Sequence, residues 1–498
     1  ADFADTLIWA EASYKAGAIN APDFWYPYLL PFGGTLLMIP FVAAFGVTYT
    51  AHQMAMITFT LIFALTLYMF IRSMGLDHYK CAFMTGIMLL LCLSSTDTRT
   101  IFYGHIIHYS ISLVFIFVAF TIFNKLDHNG GPFDTRQKIL YILLLVWIFL
   151  SCINGESVIM LFFIPFVAAP VLERFLRTDE AISLKSISGL LRFLSPVCAS
   201  GLLGYVIKKI AFKYQSSSYE NVVTVLMTSR DWMFTGHNAL TAWVKLITDE
   251  VNDRTPIISS NGIMCISGYI FAVSLLIVPV FAIIMYKKLD KRLKYFLLFY
   301  LTLLFLTLLI NSISYVQNSD WRLCTLLGTS ILVSLLFADH LMECGNYRRF
   351  AVIILCVATV NAALNLYSLR ILTPDSKECN RFDPLIHVLE ENDLHYGYSS
   401  YWNSAYVVNL LTDSDIKIRS IDVDKDQGTG LYFVRRYNSE PDWYMDQEGI
   451  QRYFAVLDET EYDLSKPLRE NAVDMIKCGD LYIMIYDRNI FEDLEPAF

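Results

Sequence analysis

Ten apolar runs recur along the first 370 residues, and a chain patterned in this way has few folds open to it. They fall at about 53–71, 81–95, 105–124, 138–150, 152–170, 190–208, 262–286, 295–313, 321–338 and 350–370. In a bilayer every backbone polar group must be satisfied internally, which leaves helices for runs of this kind. An eleventh run, 29–47, holds Pro31, Pro40 and Gly33-Gly34, so it either crosses or lies along the interface. The runs 138–150 and 152–170 are separated by Ser151 and read as one long bent helix or two short spans. Composition agrees: 55% of residues are apolar and 17% charged, where soluble domains carry about 25% charge. These figures argue against a cytosolic enzyme and exclude a disordered chain. With a formal charge of -9 and no basic stripe, nucleic acid is not an expected partner.

Charge divides the chain. From Thr373 to Phe498 there are 12 basic and 26 acidic residues, a net of -14, against a net of +5 for the first 372. Two regions with different solvents follow: a membrane domain, 1–372, and an acidic water-exposed domain, 373–498. In the second, Phe382–Glu391 and Trp402–Leu411 read as helices, and Lys417–Val423, Gly430–Arg435 and Leu481–Asp487 as strands. The expectation is a small α/β domain. Asp422, Asp424 and Asp426 alternate as in a calcium loop, but no Glu stands at the twelfth position, so a solvated turn is the reading adopted. Tyr396, Tyr398, Tyr401 and Trp402 form either a small aromatic core or a carbohydrate-stacking cluster. The ten cysteines include no CxxC, and those in apolar runs read as small hydrophobes. Cys379 and Cys478 are either bridged or both free.

Basic residues set the sidedness. Loops with Arg72 and Lys80, with Lys125, Arg136 and Lys138, with Arg174, Arg177, Lys185 and Arg192, with Lys287 to Lys294, and with Arg348 and Arg349 are expected on the cytoplasmic side. The N-terminal segment, 94–104, 211–261, 312–320 and the tail then face outward. Lys208, Lys209 and Lys213 break this rule and are expected to snorkel at a helix end.

Charged groups near a membrane are costly and so are functional candidates. Asp2, Asp5 and Glu11 lie in the opening segment, where a helix from Asp5 puts Asp5 and Trp9 on one face and Glu11 further round. Asp97 and Arg99 lie between two runs. His105 and His108, at i, i+3, share a face if helical. Glu156 starts a span as a cap or as a site group. Arg322 opens another, two residues after Asp320, and either pairs with it or meets a ligand.

This organisation resembles the GT-C superfamily of integral membrane glycosyltransferases, such as the protein O-mannosyltransferases and the aminoarabinose transferases of lipid A. Asp5-Thr6-Leu7-Ile8-Trp9-Ala10-Glu11 is similar to the family's acidic outer loop, although Thr6 stands at the second acidic position. Ala16-Gly17 looks like the end of its helix, Tyr26-Pro27-Tyr28-Leu29-Leu30-Pro31 like its Pro-rich segment, and Phe45-Gly46 like the end of that segment. Ala51–Gly75 resembles the following helix, and Trp321-Arg322 a late Arg-Tyr element. Asn154-Gly155-Glu156 also looks like a family element, with Glu156 where many relatives carry a basic residue.

The resemblance implies a polytopic all-α membrane domain of about ten or eleven helices, with a small α/β extracytoplasmic C-terminal domain. It also implies a trimmed N-terminus that lacks a first transmembrane helix. The implied activity is transfer of a sugar from a polyprenyl-phosphate donor to a glycan, lipid or protein acceptor of the cell envelope, at the outer face of a bacterial cell membrane. A single displacement inverts the sugar and needs one carboxylate base. Asp5 is the first choice, with Asp2 its rival and Asp97 next. Arg322, then Arg99, would meet the donor phosphate. Glu11, Tyr26, His105, His108 and Glu156 would line the pocket. No cofactor is required by this scheme, and a divalent metal stays open, with His105 and His108 as an incomplete ligand set. A non-catalytic component of envelope polysaccharide assembly, or a transporter, is the alternative. A transporter would show paired repeats, and none is evident.

Overall fold

The computed structural model describes residues 2–26, 30–126, 133–176, 184–211, 226–229, 231–248, 256–313, 320–370, 380–401, 403–423, 432–434 and 438–492. Outside them lie Pro27, Tyr28 and Leu29 of the Pro-rich segment, Arg177, Lys213, Cys379, Trp402, and Asp424 and Asp426 of the acidic turn. The side chains of Asp2 and Lys185 are outside as well.

Among the described residues, eight helices are long and apolar enough to cross a membrane: Tyr49–Ser73, Thr135–Cys152, Glu156–Leu176, Ser188–Ala211, Ser260–Ile284, Lys291–Ile313, Asp320–Glu343 and Gly345–Ser368. The chain is thus built as a polytopic membrane protein with a small C-terminal sheet region. The runs 138–150 and 152–170 are two helices. Gly155, at φ 89, breaks the chain between them in a conformation that favours glycine. The run 81–95 is not a simple span. His78–Leu91 and Thr96–Gly104 meet at 119°, as in a broken span or re-entrant loop. The run 105–124 shortens to His108–Phe123, and 29–47 to Gly34–Phe45 around Pro40.

Contacts divide the chain into two compact units. One is Thr58–Ala211 with Val222–Leu372; the other is Ala1–Ile57 with Phe212–Asn221 and Thr373–Phe498. The first is the helical unit. Its helices begin where side chains satisfy orphan N–H groups: Asp77 accepts from the Lys80 N–H at 2.9 Å, and Asp134 from that of Gln137 at 2.7 Å. Its centre is the Cys324–Glu343 helix. The apolar window of that span is 89% buried, against 22–50% for the other seven. Close approach needs small residues. A Cβ on Gly328 would lie 2.7 Å from Leu113 Cδ1, and one on Gly204 would lie 2.4 Å from the Phe149 carbonyl. Phe70, Phe117, Phe120, Phe296 and Phe299 interlock edge-to-face and stacked around this centre.

The second unit joins the opening segment to the tail. Helix α1 (Asp2–Ala16) and α2 (Gly34–Phe45) pack together. Trp25 bridges to Ser439, its N–H donating to the Ser439 carbonyl at 2.8 Å. The tail holds a six-stranded mixed sheet: β1 (Tyr396–Ser400), β2 (Lys417–Val423), β3 (Tyr432–Val434), β4 (Tyr453–Asp458), β5 (Asp474–Cys478) and β6 (Leu481–Tyr486). Their order is β3-β2-β1-β4-β6-β5, with β1 parallel to β2 and β4 and the other pairs antiparallel. The expected helix at 382–391 forms as Asp383–Glu391, with Pro384 in its first turn. Of the expected helix Trp402–Leu411 only Val407–Leu411 is helical. Tyr396 lies on a strand, and Tyr396, Tyr398 and Tyr401 are buried, so they form an aromatic core rather than an exposed stacking surface.

Candidate functional site

In the helical unit, polar groups gather where the broken pair turns. Ser95 caps the short helix Thr96–Arg99, and Thr98 returns the bond, a capping box that fixes the turn. The chain then makes a π-helical turn, Thr100–Gly104, a geometry often found at functional sites. This presents Asp97, whose Oδ1 accepts from the Trp321 Nε1 N–H at 2.9 Å. Trp321 belongs to the single turn Asp320–Leu323 that precedes the central helix. On the same turn Asp320 pairs with Lys245 at 3.8 Å. Lys245 stands on Trp232–Thr248, an amphipathic helix that buries Ala239, Ala242, Trp243, Leu246 and Ile247. Arg322 is half-buried and makes no hydrogen bond or ion pair among the described residues; its Nε is fully shielded from solvent. The reading in which Arg322 pairs with Asp320 is therefore replaced: Asp320 takes Lys245 instead.

Arg99 turns back on its own loop, donating to the Leu93 carbonyl at 3.1 Å and to Thr96 Oγ1 at 2.9 Å. His105 and His108 are both buried, but they do not share a helical face. His105 is extended, at φ -149 and ψ 125, and His108 opens the next helix. The i, i+3 argument fails because the π turn ends at Gly104, before His105, and the next helix starts only at His108. His108 lies within electrostatic reach of Arg322 and His105. Among the described residues no group of three or more His, Cys, Asp or Glu is placed to hold a metal ion.

Glu156 forms a second cluster in this unit. It pairs with Lys208 Nζ at 2.8 Å and Lys209 Nζ at 2.7 Å, and accepts from the Tyr205 hydroxyl at 2.9 Å. Lys208 is buried here rather than snorkelling, and Gly155 makes room for it: a Cβ at that position would sit 2.2 Å from Lys208 Nζ.

The remaining candidates belong to the other unit. Asp5 and Trp9 are both buried on α1, along with every residue from Ala4 to Ala10. The Tyr401 hydroxyl donates to Asp5 Oδ1 at 2.6 Å, and Trp9 Nε1 donates to Asn438 Oδ1 at 2.6 Å. Glu11 points elsewhere and pairs with Lys15 at 2.8 Å. The Tyr26 hydroxyl meets Ser13 Oγ at 3.3 Å and accepts from the Ala21 N–H at 3.0 Å, and burial pushes its pKa up.

Sequence reasoning missed Lys245 and the bond that Trp321 makes. The signal for Lys245 was present as a single basic residue on an amphipathic stretch inside the long segment 211–261. The Trp321–Asp97 contact joins residues 224 positions apart and left no local trace. Comparison with protein-family models, with curated proteins and with solved structures returns no match for this chain.

Proposed function

We propose that the chain is a membrane glycosyltransferase that moves a sugar from a polyprenyl-phosphate donor to an acceptor of the cell envelope, at the extracytoplasmic face. The observation that carries this reading is the pairing of opposite chemistries on one turn. Trp321 holds the Asp97 carboxylate, and the adjacent Arg322 offers a half-buried guanidinium with no protein partner among the described residues. In this scheme the acceptor hydroxyl oxygen attacks the anomeric carbon, and Asp97 takes its proton. The bond from that carbon to the phosphate oxygen breaks, and its electron pair leaves on the phosphate. A phosphate already leaves well, so fixed positive charge matters more than an added acid. Arg322 supplies a bidentate fork for it, with the Lys245 charge behind. Asp5 is the rival base, but burial and the Tyr401 bond favour a structural role for it.

The test is transfer by the purified chain, with labelled polyprenyl-phosphate sugars and envelope acceptors. Asp97→Asn keeps size but cannot take a proton. Its single-turnover rate should fall by roughly 10²–10⁴ while donor binding persists. Arg322→Lys should weaken donor binding. A parental chain that transfers from no such donor would overturn the reading, and donor binding without transfer would point to a non-catalytic envelope component.

A further inference from the structure

In the unit that carries the sheet, β2 places Lys417 and Arg419 two residues apart, hence on one face. Arg419 is only 7% exposed. Its guanidinium carbon lies 3.8 Å from the centre of the Trp443 ring and 5.8 Å from that of Tyr396. The ring faces hold the cation by its charge, and the Tyr396 hydroxyl engages the guanidinium as well. No carboxylate pairs with Arg419 among the described residues, and its Nε is buried without a hydrogen-bond partner there. The Trp443 indole N–H, on a residue 5% exposed, also lacks a partner in full hydrogen-bond geometry, although the Glu440 carboxylate stands beside it. Two buried donors side by side each carry a desolvation cost that an acceptor would remove.

The surrounding charges leave room for that acceptor to be an anion. Glu11 is engaged by Lys15 at 2.8 Å. Glu440 faces Lys15, Arg419 and Glu11, and burial raises its carboxyl pKa, which weakens it as a counter-charge. The Lys417 ammonium is pushed down, first by burial and then by repulsion from Arg419. Three cations, Lys15, Lys417 and Arg419, thus share two carboxylates, Glu11 and the partly disabled Glu440.

We propose that Arg419 and the Trp443 indole N–H form the recognition point for an oxyanion, the carboxylate or phosphate of a small ligand, with Lys417 at its rim. The fork of the guanidinium matches two oxygens of either group, and the Trp443 N–H can reach the same anion from beside it. This site is separate from the Asp97–Arg322 cluster and does not rest on the transferase reading. Nothing moves covalently in it; it binds.

Calorimetry on the full chain in lipid nanodiscs tests the proposal, with glucose 1-phosphate, glucuronate and glucose as probes. All three carry a hexose, so the charged group is the variable. One or both anions should bind saturably and glucose should not. Binding of only one anion identifies phosphate or carboxylate as the group recognised. Arg419→Gln should weaken the binding anion by roughly 10- to 100-fold, the range for losing hydrogen bonds to a charged group. Lys417→Gln, at an exposed position, should weaken it about two- to fivefold. Equal affinity for glucose, no saturable binding of either anion, or unchanged affinity in Arg419→Gln overturns the proposal. If Arg419→Gln does not fold, Lys417→Gln decides: a loss supports the site, and unchanged affinity overturns it.

Discussion

The two units bury polar groups in different ways. In the sheet-bearing unit, the polar groups that tie the opening segment to the tail are matched by partners far away in sequence: Asp5 with Tyr401 across 396 positions and Trp9 with Asn438 across 429. In the helical unit the polar clusters sit at helix ends and breaks: Asp97 at the turn of the broken pair, Glu156 after the Gly155 break, Lys245 and Asp320 before the central helix. The helix flanks there are apolar and exposed, with Leu61 at 65%, Phe305 at 63% and Ile284 at 72%. Water would make such flanks a liability, whereas lipid is their natural solvent. A water-facing unit needs its polar groups paired inside, and a lipid-facing unit needs them kept to the ends. Reaction chemistry is therefore expected where polar groups are half-exposed, in the helical unit.

The largest effect tests that division. Asp97→Asn should lower transfer by roughly 10²–10⁴, and Asp5→Asn should instead lower the melting temperature with a much smaller loss of rate. The reverse pattern would return the base to Asp5 and break the division. Next in size is Trp9→Ala. It removes an indole that is 1% exposed and its bond to Asn438, and truncations of this type cost about 3–5 kcal/mol. Thermal unfolding followed by limited proteolysis should show the tail cut early in the variant. A tail that stays resistant would mean that the opening helix is not integral to that unit.

In the helical unit the matching change is Gly155→Ala. The position has φ 89 and the added methyl would meet Lys208 Nζ, so both backbone strain and a displaced ion pair follow. A loss of about 1–3 kcal/mol is expected. Lys208→Ala with Gly155→Ala should recover part of it, because all the Lys208 atoms that meet the methyl are then removed. Failure of the second change to help would assign the loss to the backbone alone.

How much of this was legible depended on the distance over which the information was written. Spans such as Ser260–Ile284 are continuous apolar runs, and their composition is enough. The Trp232–Thr248 helix escaped because it is amphipathic and carries Lys245, so it reads as loop on a hydropathy window. Strand β1, Tyr396-Gly397-Tyr398-Ser399-Ser400, escaped for another reason: it is a central strand whose Gly397 lies against the Phe454 ring, a packing feature with no local propensity behind it. The candidate site was half legible. Asp97 and Arg322 stand out as charges beside apolar runs, but their connection through Trp321 is tertiary. The shared helical face expected for His105 and His108 was lost because the chain is extended at His105 after the π turn and re-enters a helix only at His108, a break that spacing arguments do not anticipate.

The smallest effect compares one ion pair from each unit. His395 lies in the sheet-bearing unit, with Nε2 3.0 Å from Asp393 Oδ1 and Nδ1 3.5 Å from Asp415 Oδ2. The hydrogen bond to Asp393 raises its pKa above the ordinary value, burial opposes this, and Asp415 adds to it. A raised folded-state pKa means that the folded chain holds the proton more tightly than the unfolded chain. The stabilisation is therefore complete below the ordinary histidine value and fades as pH rises through the folded one. His395 is 40% exposed and Asp393 91%, so water and salt screen the pair, and its contribution should stay below about 1 kcal/mol. Lys80 and Asp339, 2.7 Å apart in the helical unit, differ in that Asp339 is only 14% exposed. NMR titration of His395 should show the raised value, and Asp393→Asn should bring it back toward the ordinary one. Added salt should shrink the His395 shift while leaving the stability lost in Asp339→Asn nearly unchanged, because the less exposed pair is screened less. Equal salt responses would mean that both pairs meet the same solvent, and the contrast between the two units would then fail at the level of individual charges.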